Sequence, residues 1–172
     1  LEDPDRASEP DEVIEMLLAA REAALILREL RLERGALELS LPKAAVILDL
    51  DGSVSEIVGE KQDISHAIIE EFMLLANEQV ARFIAERKIP LVLRTHDDPE
   101  PDKLAQFTQF ARSLGVPIKR SPDRADLQKA LYYVEGKPVE QAVNYALLRS
   151  LKQAMYSAEY GPHYALAAEY YT

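Results

Sequence analysis

The chain has no cysteine. That excludes disulfides, thiolate nucleophiles and sulfur-ligated zinc together, and it is compatible with a reducing compartment. No apolar run approaches the roughly 20 residues that cross a bilayer, and no signal-peptide pattern opens the chain. Positive charge is scarce: 20 Lys and Arg stand against 30 Asp and Glu, a net charge of −10. Such a surface repels phosphate, so a general nucleic-acid coat is not expected. Cations would have to line a channel, or other domains would have to supply the positive field. An initiating methionine and a polar tail are also missing, and both ends are read as cuts through a longer polypeptide.

What remains is enough for one domain. Of 172 residues, 48% are hydrophobic, and a chain of this size buries roughly 70% of its unfolded surface. Residues 1–9 are polar and acidic, a linker or cut end. Ser8-Glu9-Pro10-Asp11 then opens a helix, with Ser8 as cap and Pro10 at the first position, and Gly35 stops it. Ala36–Leu39 and Ala44–Leu48 are short and strand-like. A long helix is expected over about Asp63 to Glu86, and a strand at Leu91–Leu93. Three helices should follow, opened by Pro101, by Ser121-Pro122-Asp123 and by Pro138, the last running to about Ala154. The class is α+β, helix-dominant, with short and mostly antiparallel strands.

One stretch invites a different chemistry. Ala44–Val54, AAVILDLDGSV, resembles the first motif of the haloacid-dehalogenase phosphatases, with Asp49 as nucleophile, Asp51 as acid-base and Asp97-Asp98 as a metal pair. That fold needs a crossover helix after each strand. Asp51-Gly52 lies between two strand-like segments with no room for one, which is hairpin chemistry. The aspartates are therefore expected to be turn residues.

The string Ile69–Asn77, IEEFMLLAN, lies on the long helix, where Glu70 and Asn77 share a face at spacing seven. It resembles a signature of the RNB catalytic domain in the ribonuclease II and ribonuclease R family. Leu93-Arg94-Thr95-His96 with Pro101-Asp102-Lys103-Leu104, the helix Val143–Ser157, and Gly161–Leu166 with Glu169–Thr172 resemble further family segments in the same order. Residues 10–172 would then be the central part of an RNB-type domain. There are departures. The family's magnesium-binding aspartates would lie before Leu1, its phosphate-binding arginine after Thr172, and Leu39 stands near a usual base-stacking aromatic.

The resemblance implies a 3′→5′ hydrolytic exoribonuclease, a cytoplasmic enzyme that degrades single-stranded RNA to 5′-mononucleotides. Magnesium would act in the parent protein, and flanking OB-type domains of the same polypeptide would help hold RNA, with no membrane involved. No catalytic residue and no metal is expected in this chain, which alone should be inactive. The alternative is an inactive RNB-like module that binds RNA or protein. In the family scheme Glu70 resembles the glutamate that reaches the sugar near the 3′ end, where it could accept from a 2′-OH. Arg149 and Lys152, one helical turn apart, could hold phosphates or be ordinary surface cations. Asn77 and Arg94 would bracket the channel, and Tyr171 is either a base neighbour or a packed residue. His66, His96 and His163 have no metal-ligand spacing.

Overall fold

The computed structural model describes residues 10–49, 51–60 and 63–172. The expected linker at 1–9, and Ser8 as a cap, lie outside them. Helix α1 spans Asp11–Glu33, with Pro10 as the N-cap residue rather than the first helical one. Asp11 and Glu12 in the first turn and Arg31 in the last complement the helix dipole. Gly35 ends the run at φ +97°, and a Cβ there would sit 3.0 Å from the Arg124 side chain.

Strands β1 (Lys43–Leu48) and β2 (Val54–Glu60) pair antiparallel, with a register shift between Ile47 and Leu48. Gly52 turns the chain at φ +83°. The Asp49 N–H donates to Ser53 O, and the Asp51 carboxylate accepts from the Ser53 N–H at 2.9 Å. Asp49 and Asp51 are thus hairpin residues, as their spacing implied, and no phosphatase sheet is present among the described residues. Segment 36–40 corrects the expectation of a strand. It runs extended without a strand partner, with Leu37 N–H donating to Ala165 O and Ser40 N–H to the Asn144 side chain.

Helix α2 (Ile64–Glu86) begins at Asp63, whose carboxylate accepts from the N–H groups of Ser65 and His66. The Ser65 hydroxyl and the His66 ring also donate to it, which holds this carboxyl far below the ordinary aspartate range. Strand β3 is Leu93–Thr95, two residues later than Leu91, and pairs antiparallel with β4 (Met155–Ser157). Between them come α3 (Pro101–Ser113), α4 (Arg124–Val134) and α5 (Glu140–Ser150). Asp123 and Asp126 close a reciprocal capping box on α4. Helix α5 stops four residues short of Ala154, because Leu151 turns to extended backbone (ψ 153°) and leads the chain into β4.

The core lies among α3, α4 and α5. Leu127, Val134, Val143 and Leu147 are wholly buried there, with Phe107 and Tyr164 beside them. Leu37 packs on this core, and the side-chain amide of Gln128 donates to the carbonyls of Leu32 and Ala36, tying the end of α1 to α4. The α1–α2 pair is joined differently. On α2 the buried residues are Glu71, Glu78 and Ala81, whereas Phe72 and Phe83 are exposed.

Candidate nucleic-acid interface

Adjacent glutamates on α2 are put to different uses. Glu71 is 4% exposed and accepts both arms of the Arg31 guanidinium, from Nε at 3.1 Å and Nη2 at 2.5 Å. Burial alone would pull Arg31 down. The hydrogen bonds and charge of Glu71 more than offset this and hold it above its ordinary value. Two turns along, Glu78 takes the Arg34 fork at 2.6 and 2.9 Å and is approached by Arg82 at 3.3 Å. Glu70 is exposed and makes no side-chain hydrogen bond or ion pair among the described residues. Of the two glutamates in the family string, it is the one left available to an incoming group.

Asn77, Arg94 and Tyr171 come together. The Asn77 side chain donates to the Tyr171 hydroxyl at 3.1 Å, and the Arg94 N–H donates to Tyr171 O at 2.8 Å. Tyr171 is buried, with its ring edge-on to His163 at 5.4 Å. It is therefore a packed residue joining α2, β3 and the last segment of the chain, with no free face for a base. Arg94 itself projects outward, and its guanidinium lies 5.9 Å from the Tyr156 ring across the β3–β4 pair.

Behind Tyr171 the rings continue inward. His163 meets His96 at 5.0 Å, His96 meets Tyr164 at 6.1 Å, and Arg124 lies over Tyr164 at 4.4 Å. His96 Nδ1 accepts from the Ala165 N–H, and His163 Nδ1 from the Leu166 N–H. Each neutral ring then carries its proton on Nε2. His96 Nε2 is buried without a partner; the Lys152 backbone favours its protonation but falls short of a hydrogen bond. Burial lowers both imidazoles, and with the charges of His96 and Arg94 it brings His163 down to about 4.

Arg149 and Lys152 do not share a site. Arg149 is on α5, while Lys152 lies beyond the helix end and binds Asp97 at 3.2 Å. The expected one-turn spacing fails because α5 ends at Ser150. The Arg31–Glu71 pair was not singled out by sequence reasoning. The signal was available as Glu71 and Glu78, two acids at spacing seven on one helix face. Leu39 lines a cavity of about 270 Å³ beside Tyr132 and Asn144, partly packed on the core.

The whole chain, residues 1–172, matches the RNB domain family. It belongs to the RNB family. Ribonuclease R of Thermotoga maritima is 38% identical over the full chain, which covers 25% of that protein. Among solved structures, Mycoplasma genitalium RNase R in complex with ribose-methylated single-stranded RNA superposes with a TM-score of 0.89 at 25% identity. That match covers 96% of this chain and 26% of the other. The same RNase R with double-stranded RNA gives 0.87 over 96% of this chain and 30% of that one. The chain thus spans about a quarter of the length of these relatives. Its RNB-type α+β fold, helix-dominant with short antiparallel strands, agrees with the pattern read from sequence.

Proposed function

We propose that this RNB chain is part of a 3′→5′ hydrolytic exoribonuclease that degrades single-stranded RNA to 5′-mononucleotides in the cytoplasm. The observation that carries the reading is the division between the two glutamates of the family string. Glu71 is consumed by Arg31, and Glu70 is left exposed to accept a sugar hydroxyl. Asn77, through Tyr171, registers that helix against β3 and the last segment of the chain, so Asn77 and Tyr171 position the site, while Arg94 offers a cation to phosphate. Lys152 is neutralised by Asp97 and contributes less. Among the described residues no three carboxylates or imidazoles converge to hold an ion. Magnesium, the remaining catalytic groups and OB-type domains are assigned to the rest of the parent polypeptide.

The test uses the parent polypeptide with matched RNA and DNA oligomers. A charge-assisted hydrogen bond from a 2′-OH contributes roughly 1.5–3 kcal/mol, so Glu70→Ala should lower RNA-over-DNA discrimination by about one to two orders of magnitude. Glu70→Gln should fall between. An unchanged ratio in a well-folded Glu70→Ala protein would end the assignment. The isolated chain with magnesium should release no 5′-mononucleotides above a contaminant control.

A further inference from the structure

Helices α3 and α5 leave a groove of about 570 Å³ between them. Helix α3 follows β3 and α5 precedes β4, and these strands pair. The start of α3 and the end of α5 therefore meet at one end of the groove. Lys103 stands at that end on α3 and Arg149 on α5, both on its lining. Arg149 has no side-chain partner among the described residues, and Lys103 has only a loose surface contact to Glu100 at 3.4 Å. Away from that end the walls are mainly apolar, with Gln106 among them. Phe110 is 41% exposed and Tyr145 47%, with Ala142 between the turns.

This arrangement does not suit a nucleic-acid strand. Phosphates repeat along a strand, and holding one calls for cations spread along the track. Here both cations sit at one end, and the chain's net charge of −10 opposes a polyanion. Aromatic walls that end in a pair of cations fit an apolar body with an acidic group at one end. We infer that the α3–α5 groove docks a short, acidic, amphipathic peptide segment of another protein. Arg149 and Lys103 hold its carboxylate, and its apolar side chain lies between Phe110 and Tyr145.

Random short peptides displayed on phage are selected on the complete chain and counter-selected on Ala142→Trp, which fills the groove from an exposed position. Enriched peptides should carry Asp or Glu within one helical turn of Leu, Phe or Trp. As labelled synthetic peptides they should bind with anisotropy changes that Arg149→Glu weakens about tenfold or more. Tyr145→Ala should also weaken them by opening the wall, so that the result does not hang on one variant. Amide shifts on titration should concentrate on α3 and α5, with melting temperatures unchanged across the variants. Three outcomes overturn the inference: no such peptides enrich, their binding is indifferent to Arg149→Glu, or oligouridine displaces them and itself depends on Arg149.

Discussion

At the residue scale, one position of separation on α2 decides between the interior and solvent. Truncating Glu71 would leave the Arg31 guanidinium charged and unpaired in a site where it is 7% exposed. Breaking a buried pair in this way costs about 3–5 kcal/mol. Glu71→Ala should therefore shift the urea midpoint strongly, whereas Glu70→Ala should stay within about 0.5 kcal/mol of the native chain. Replacing Arg31 and Glu71 together by methionine and leucine should recover most of the loss, since no charge is then stranded. Equal effects from the two single truncations would refute this division. Tyr171 offers a graded case. Tyr171→Phe removes one hydrogen bond from Asn77, about 1 kcal/mol, and Tyr171→Ala also empties a buried ring, roughly 3–5 kcal/mol. A residue held out for stacking on bases would show neither loss in the absence of RNA.

At the element scale, the segment 161–172 is fastened by Tyr171, by Tyr164 N–H donating to His96 O, and by the two buried imidazoles. An unfolded histidine takes up its proton near 6.5, but folded His163 resists until about 4. The unfolded state binds more protons within that window, so stability is complete above 6.5 and is lost as pH falls through it. The loss approaches about 3 kcal/mol near pH 4, at about 1.4 kcal/mol per unit. Asp97 and the Lys152 backbone favour the proton on His96 and temper its share. Hydrogen exchange of amides 161–172, corrected for intrinsic rates, should accelerate between pH 6.5 and 4.5 and do so less in His163→Phe. Protection that is flat across this range would dismiss the mechanism. How legible each element was in sequence follows from how local its cause is. The bounds of α2, α3 and α4 were visible because Asp63, Pro101 and Asp123 act on their own next turn. The hairpin was visible because Gly52 turns the chain within four residues. Segment 36–40 was misread as a strand because its partners, Asn144 and Ala165, lie more than a hundred residues away. The site was legible only in its residue types. That Glu71 is used up and Tyr171 covered depends on Arg31, Asn77 and His163, whose approach no spacing encodes.

At the scale of the whole molecule, the α1–α2 pair and the hairpin carry a broad exposed apolar surface. Ile69 is 68% exposed, Met16 61% and Phe83 55%, with Met73 and Val46 close behind. Patches of this kind mark contacts or association. The isolated chain should bind an apolar dye strongly and self-associate with rising concentration in sedimentation, and surface Ile69→Lys and Phe83→Lys substitutions should relieve both. A strictly monomeric, dye-silent chain would count against that surface. RNA binding by this chain alone should be weak and fall steeply with salt, because its cations are outnumbered by acids on a body of net charge −10.

The two arginine–glutamate forks between α1 and α2 have a mechanical side. Arg31 grips Glu71 and Arg34 grips Glu78, so the partners advance in the same sense along both helices. Sliding one helix past the other by a turn, about 5.4 Å, would pull both pairs apart together. A pulling force along α1 should thus meet a single abrupt rupture instead of gradual creep. The pair acts as a shear pin, holding the helices at one relative height while the rest of the chain is loaded.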